Sequence, residues 1–176
     1  GTGKMTEFNK NEYPWSSAFY VNVKFNGNNI KISDQAFTEI DYIYTIDFSG
    51  VTEIGDYAFY CCKNLNKISG HEEVVMVGDS AFNGTCWISD TIDNVYIKIL
   101  GSVLVRYLGT SEIAEIPENV TSVTANAFQN NKCKTLFIPD NNIFFHSRAF
   151  SGTSIEHVRY KGMEEDITLD ELREAA

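Results

Sequence analysis

Four cysteines are the residues of this chain best suited to redox or metal chemistry: Cys61, Cys62, Cys86 and Cys133. Cys61 and Cys62 are adjacent, which is a poor arrangement for a mutual disulfide, and the CxxC spacing of zinc sites does not occur. We therefore interpret Cys62 as a free thiol packed in a turn, in a position where small residues recur. A disulfide between Cys62 and Cys86 is the alternative.

No other group of side chains has the spacing of a catalytic or metal site. The three histidines, His71, His146 and His157, are far apart along the chain, and none lies at metal-ligand spacing from a cysteine or a carboxylate cluster. The GxSxG, GxGxxG and P-loop patterns are absent, and acidic runs such as Glu72–Glu73 are typical of solvated loops. The sequence therefore predicts a protein that is not an enzyme and that uses no metal or cofactor.

The composition of the chain argues against two classes of partner. Its 176 residues carry a formal net charge of −10, with a sequence pI near 4.7. Nucleic acid and anionic membrane surfaces require a basic patch, so neither is an expected partner. No apolar run approaches the roughly 18 residues of a membrane span. With 43% hydrophobic residues, the simplest prediction is one folded domain over residues 1–176.

A short pattern, an Ala-Phe pair preceded by small or polar residues, recurs along the chain. Its phenylalanines are Phe37, Phe59, Phe82, Phe128 and Phe150, and the spacings between them are 22, 23, 46 and 22 residues. A period of this length is the mark of a solenoid, in which each coil buries its apolar face against its neighbours. The repeat therefore predicts a stack of 22–23-residue coils.

Each part of the repeat has a predicted structural role. Segments such as VNVKF (21–25) and EHVRY (156–160) alternate apolar and polar residues, which is the period of a strand with one buried face. Stacking of the coils would pair these strands into a parallel sheet. The Gly, Asp, Ser or Asn residues before each Ala-Phe pair favour a single helical turn. The alanine allows close approach of the next coil, and the phenylalanines are expected to stack as a ladder in the core.

Two segments depart from the regular coil in the first two thirds of the chain. Residues 1–25 are expected to form an N-terminal cap and the first strand. Residues 86–115 form an irregular coil, because Leu104 and Val105 stand where an Ala-Phe pair is due. Two alternating runs flank Gly101 and predict a β-hairpin, which either completes a coil or projects from the stack.

The C-terminal segment, residues 163–176, is predicted to form a helix. Thr168 followed by Glu171 has the spacing of a capping box, and Leu169 and Leu172 would share one face. Such a helix either covers the open end of the solenoid or begins a linker.

The repeat resembles the BspA-like leucine-rich repeats of bacterial surface proteins, which are also abundant in some parasitic protists. Their repeat is similar to LxxIxIPxxVxxIgxxAFxxCxxL, and VTEIGDYAFYCCKNLNKI (51–68) matches it almost position for position. IPENVTSVTANAF (116–128) and IPDNNIFFHSRAF (138–150) match further stretches, so the resemblance covers nearly the whole chain. It implies a leucine-rich-repeat solenoid with a parallel β-sheet face, short helical turns and an inserted β-hairpin.

The resemblance also implies a location and a class of function. It implies an extracellular protein, at the cell surface or secreted, that binds a protein or glycan partner, and many members of the family have no established activity. The opening GTGKMTEF lacks the charged-then-apolar plan of a signal peptide, so the expected location depends on the resemblance alone. We expect a monomer.

The alternation of the strands predicts which side chains face outward on the sheet. Aligned by distance to the next Ala-Phe pair, these positions fall into two rows. The first row is Lys24, Asp47, Ser69, Glu115, Phe137 and Arg159, and the second is Asn22, Thr45, Lys67, Ile113, Thr135 and His157. Mixed charge with one exposed aromatic ring, that of Phe137, is compatible with a protein or glycan ligand. The candidate binding residues are Lys24, Asp47, Lys67, Glu115, Phe137, His157 and Arg159.

Two functions are therefore open at the level of sequence. In the first, the sheet face or the inserted hairpin binds a partner. In the second, the domain is a rigid spacer or scaffold within a larger surface protein, and the sheet face is an ordinary solvated surface.

Overall fold

The structure is a computed structural model that describes residues 20–91, 96–139 and 142–175. The chain divides into two compact units, residues 1–93 and 94–176, which we call the N-terminal and C-terminal units. Most of the predicted N-terminal cap, residues 1–19, lies outside the described residues.

The N-terminal unit contains two parallel sheets, one more than the sequence predicts. Its elements are β1 (Val21–Lys24), β2 (Ile30–Ile32), β3 (Ile43–Asp47), β4 (Val51–Ile54), β5 (Lys67–Ser69), β6 (Met76–Val77) and helix α1 (Cys86–Ser89). Sheet A has the order β1-β3-β5 and sheet B the order β2-β4-β6. Each coil therefore adds one strand to each sheet, as expected for stacked repeats.

The C-terminal unit follows the same plan. Its elements are β7 (Ile97–Leu100), β8 (Val103–Tyr107), β9 (Ile113–Glu115), β10 (Ser122–Val123), β11 (Thr135–Ile138), β12 (Phe144–Phe145), β13 (His157–Tyr160), β14 (Ile167–Thr168) and helix α2 (Leu169–Ala175). Sheet C has the order β12-β10-β8-β7 and sheet D the order β14-β13-β11-β9. The prediction of parallel strands is confirmed for every coil-to-coil pair in the described parts of both units.

The predicted phenylalanine ladder forms the core of the N-terminal unit. The rings of Phe37 and Phe59 stack with centroids 5.0 Å apart, and those of Phe59 and Phe82 stack at 5.4 Å. Phe25 and Phe48 form a second column beside the first, stacked at 5.9 Å. Because stacked rings exclude water along a whole column, each repeat is stabilised mainly by the repeats on either side of it.

The inserted hairpin completes a coil of the C-terminal unit. β7 and β8 pair in antiparallel fashion, and β8 also pairs in parallel with β10, so the second strand of the hairpin is part of sheet C. Tyr107 takes the place of the missing phenylalanine: its ring stacks on Phe128 at 5.3 Å, and its N–H donates to the Ala127 carbonyl at 2.9 Å. The ladder of the C-terminal unit continues from Phe128 to Phe150 at 5.4 Å.

The Ala-Phe segment is a pair of turns and not the helical turn that the sequence predicts. In four of the five segments the residues two before and two after the phenylalanine have left-handed backbone, as at Gln35 (φ 57°) and Glu39 (φ 58°). The N–H groups of Gln35, Phe37 and Glu39 donate to the next coil, at 2.8, 2.8 and 2.7 Å. A helix would direct these N–H groups to its own carbonyls. The turns therefore provide a third ladder of coil-to-coil hydrogen bonds.

The C-terminal helix is shorter than the predicted 163–176, because α2 begins at Leu169. The preceding residues Ile167–Thr168 instead form β14, which pairs in antiparallel fashion with β13 and satisfies backbone groups at that sheet edge. The predicted capping box is confirmed: the Glu171 N–H donates to the Thr168 hydroxyl at 3.2 Å, and the Thr168 N–H donates to the Glu171 carboxylate at 2.7 Å. Leu169 and Leu172 are buried in the core of the C-terminal unit.

Candidate binding face

The predicted outward rows are aligned in the N-terminal unit. Parallel pairing of β1, β3 and β5 places Lys24, Asp47 and Ser69 side by side, and it places Asn22 beside Thr45 and Lys67. The ammonium group of Lys24 lies 3.2 Å from the Asp47 carboxylate. Two of the candidate residues, Lys24 and Asp47, are therefore partners of each other.

The carboxylate of Asp47 is held by its own coil as well. The Ser49 hydroxyl and the Ser49 N–H donate to it at 2.6 and 3.1 Å. These hydrogen bonds, followed by the contact with Lys24, lower the pKa of Asp47 below its ordinary value. At neutral pH this position of sheet A is a fixed negative charge.

The outward rows are also aligned in the C-terminal unit. On sheet D, Thr135 lies between Ile113 and His157, and Phe137 lies between Glu115 and Arg159. Glu115, His157 and Arg159 are exposed. Ile113 keeps 46% of its surface accessible, so it is the large apolar side chain most open to solvent on this face.

Phe137 is half-buried and not the fully exposed aromatic residue that the sequence predicts. It lies on β11, which has a strand on either side, with Glu115 and Arg159 at the directly opposite positions. Opposed side chains on neighbouring strands are close enough to contact each other, so long charged residues on both sides cover part of the ring.

Arg159 is engaged by the C-terminal segment of the chain. Its guanidinium group donates to both oxygens of the Asp166 carboxylate, at 2.7 and 3.0 Å. The hydrogen bonds to Arg159 lower the pKa of Asp166, and the same bonds raise the pKa of Arg159. Because this bidentate pair lies at the surface, we expect it to orient the Arg159 side chain more than it stabilises the fold.

An exposed pair of tyrosines on the N-terminal unit was not predicted. The rings of Tyr20 and Tyr44 meet edge to face, with centroids 5.8 Å apart, and they are 76% and 42% exposed. Tyr44 points outward because the register of β1 and β3 shifts between Val21 and Asn22. The sequence signal was the spacing of Ile43 and Ile46, both buried, which breaks a strict period of two.

All four cysteines are free thiols, which confirms the interpretation of Cys62 as a packed thiol. The Cys62 thiol is fully buried and donates to the Phe37 carbonyl of the preceding coil at 2.9 Å. Burial raises the pKa of Cys62 to about 12. Cys86, in contrast, is exposed on α1.

We expect the thiol reagent DTNB at pH 8 to modify Cys86 at least roughly a thousandfold faster than Cys62. The thiolate is the reacting species, and the raised pKa leaves Cys62 almost wholly protonated at that pH. The rates can be measured by peptide mass spectrometry after timed quenching, with the denatured chain as the control in which both sites react. Comparable rates in the folded protein would contradict the burial of Cys62.

The same raised pKa predicts the pH dependence of stability. The folded-state pKa of Cys62 lies above that of an unfolded cysteine, which is about 8.5. Below the unfolded-state pKa, the contribution of the Cys62 thiol to the free energy of unfolding therefore does not change with pH. Stability should then fall as the pH rises toward 12.

The acidic residues before the Ala-Phe pairs accept hydrogen bonds from backbone N–H groups of the next coil. The Asp34 carboxylate accepts the N–H of Asp56 at 2.9 Å, and the Asp56 carboxylate accepts the N–H of Asp79 at 2.7 Å. Among the residues that the structure describes, no group of His, Cys, Asp or Glu side chains is arranged to hold a metal ion. The helices in this part of the chain are also too short or too polar to cross a membrane.

A family profile agrees with the architecture of the coils. The profile of the family described as BspA type leucine rich repeat region matches residues 12–103 and 91–170, with six copies of the repeat. No curated protein matches the sequence. Among solved structures, the chain is similar to the pneumococcal vaccine antigen PcpA, with a TM-score of 0.39 and 15% identity, over 85% of this chain and 50% of that chain. The chain thus spans half the length of that protein. Because the family profile matches nearly the whole chain, the protein belongs to the BspA-type leucine-rich-repeat family.

Proposed function

We propose that this chain is a non-enzymatic interaction module of a cell-surface or secreted protein, and that it binds a protein or glycan partner through the outward face of sheet D. Membership of the BspA-type leucine-rich-repeat family supports the role of a repeat module. The observation that carries the proposal is the alignment of Ile113, Thr135 and His157 in one row beside Glu115, Phe137 and Arg159 in the next.

The chemistry of this face suits a specific partner. The exposed side chain of Ile113 and the half-buried ring of Phe137 supply apolar area, and Glu115 and Arg159 border it with opposite charges. Interfaces commonly combine such an apolar centre with a polar rim. The strands fix the side chains at a regular spacing, so little conformational entropy is lost when a ligand binds.

The role of a rigid spacer is the second candidate, and the ion pairs between coils favour it. Outward lysines are paired with carboxylates of the next coil, as in Lys24–Asp47, Lys31–Glu53 and Lys134–Glu156. Such pairs satisfy surface charges within the chain and leave fewer of them for a ligand. A spacer would tolerate substitutions on the face of sheet D.

A binding screen with matched variants distinguishes the two candidates. The chain is tested against a glycan array and against immobilised collagen and fibronectin, and any ligand found is titrated with Ile113→Ser and Val75→Ser. Both residues are exposed aliphatic side chains, at 46% and 60%, but Val75 lies in the N-terminal unit.

We expect Ile113→Ser to weaken the affinity about tenfold, as for a residue near the centre of an interface. Val75→Ser should change it less than about twofold, within the range of neutral surface substitutions. If no ligand binds, or if both variants bind as tightly as the parent chain, the spacer role is supported and the sheet D proposal is wrong.

A further inference from the structure

The end strand of sheet C, β12, has an unpaired edge. Its sheet neighbour is β10, and the N–H groups of Phe144 and His146 donate to the Thr121 and Val123 carbonyls at 3.0 Å each. Alternate residues of a parallel strand direct their backbone groups to opposite neighbours. The N–H and C=O of Phe145 therefore face away from β10, and neither has a hydrogen-bond partner within the described residues.

The turn ladder also ends with an unused donor. In the preceding coil, the Phe128 N–H donates to the Ala149 carbonyl at 2.9 Å. The equivalent donor of the last coil, the N–H of Phe150, has no partner in the described part of the chain, although Phe150 is only 3% exposed. The chain does satisfy a neighbouring donor itself, since the Arg148 N–H is hydrogen-bonded to His146 Nδ1 at 3.1 Å.

The corresponding edge of sheet D is covered by the chain itself. β14 pairs with β13 there, and α2 buries Leu169 and Leu172 beside it. The last coil is therefore closed on one side and open on the other. Unpaired strand edges are surfaces to which another chain adds readily.

A cavity of about 410 Å³ lies beside the open edge. Phe145, Phe150 and Leu172 supply its apolar walls, and His146, Ser147 and Arg173 supply its polar side. Its volume is in the range of known binding sites, about 300–1,000 Å³. Phe144 also lines the cavity and is 62% exposed.

We propose that this end of the C-terminal unit is a strand-addition site for an extended segment of a partner protein. The segment pairs in parallel with β12 and inserts an apolar side chain into the cavity. This site lies apart from the face of sheet D, so the proposal goes beyond the function proposed above and does not depend on it.

The occupant is inferred from continuity with the coil-to-coil interface. Leu104, Val123 and Phe145 are consecutive inward residues of sheet C, and each earlier strand of this series is covered by the next. A partner strand would continue that series by one step. The unused groups are backbone donors and acceptors set at the spacing of a peptide, which favours a polypeptide over a small apolar molecule.

The probe is a synthetic peptide with the sequence of residues 119–130, NVTSVTANAFQN, because this segment makes the proposed contact within the chain. There, the Thr124 N–H donates to the Leu104 carbonyl of the preceding coil at 3.1 Å, whereas the Val123 N–H is directed to the opposite side. One version is N-methylated at Thr124 and a matched version at Val123. The N-methyl group removes one donor in each case, so only the direction of that donor differs.

Binding is followed by fluorescence anisotropy, and hydrogen exchange of the Phe145 and Phe150 amides is followed by NMR. We expect the peptide to slow exchange at both amides at least about tenfold, because they gain hydrogen bonds. N-methylation at Thr124 should weaken binding about tenfold or more, and N-methylation at Val123 less than about twofold.

Three results would overturn the proposal. The first is unchanged exchange at Phe145 and Phe150 at saturating peptide, and the second is equal binding of the two N-methylated peptides. The third is protection of these amides from exchange without the peptide, either when the chain dimerises alone or when a small apolar compound fills the cavity. Another occupant would then cover the edge.

Discussion

Replacement of Gly50 by alanine should lower the free energy of unfolding by about 2–5 kcal/mol. Gly50 has φ +77°, a left-handed conformation that costs an L-residue roughly 1–2 kcal/mol. A methyl group there would also overlap the carbonyl oxygen of Gly27 in the preceding coil and lie 2.9 Å from its carbon. Relieving that overlap requires backbone movement, at a further cost of about 1–3 kcal/mol. Urea unfolding monitored by circular dichroism measures the change.

Gly162 is the matched control for this substitution. Its φ of +84° is similar, but the structure places no heavy atom within 4 Å of the position that a Cβ would occupy. Gly162→Ala should therefore cost only the conformational part, about 1–2 kcal/mol. Equal losses from the two substitutions would show that Gly50 is required for its dihedral angle alone and that the loops of successive coils do not approach closely.

Truncation of Phe59 to alanine should destabilise the chain by about 3–5 kcal/mol, the range for phenylalanine in a packed core. The ring is fully buried and stacks on Phe37 on one side and on Phe82 on the other. Its loss leaves a cavity in the middle of a column, where neither neighbour can collapse without leaving its own coil. Denaturant unfolding of the purified variant provides the value.

Phe144 provides the comparison on the surface. Its side chain is 62% exposed, so Phe144→Ala removes a similar volume with little change in packing. We expect its effect to stay within about 0.5 kcal/mol, as for most surface substitutions. A loss at Phe59 as small as that at Phe144 would contradict the ladder as the source of stability.

The features that repeat along the chain could be predicted from sequence. The spacing of Phe37, Phe59 and Phe82 predicts their stacking, because residues one coil apart occupy the same place in successive coils. The same logic predicts that Glu115, Phe137 and Arg159 lie side by side. Both sets consist of residues at equivalent positions in successive coils, and the repeat period alone is enough to identify such positions.

The left-handed backbone of the first two Ala-Phe turns could not be predicted, since the positions concerned carry unfavourable residues. Gln35, Glu39, Tyr57 and Cys61 all have positive φ, where glycine or asparagine would be the usual signal. Hydrogen bonds to the neighbouring coil stabilise this backbone. Because the partners in those hydrogen bonds belong to a different repeat, the local sequence of the turn does not reveal them.

Features that occur once were also missed or misjudged. Tyr107 replaces a phenylalanine of the ladder from within a strand, so no Ala-Phe pair marks it. The sequence predicts a helix that includes Ile167–Thr168, but pairing with β13 holds these two residues in an extended strand. The open edge of β12 depends on where the last coil ends in space, which no periodic pattern encodes.

The direction of the hydrogen bonds between coils has a mechanical consequence. Within each unit the strands lie across the stack, so the bonds between neighbouring coils lie along the stacking direction. Tension applied along that direction loads the coils in series, and each can separate without shearing the others. One repeat of 22–23 residues would then be released at a time, extending the chain by roughly 75 Å per step. Under tension, such a unit would lengthen in steps and dissipate the applied load.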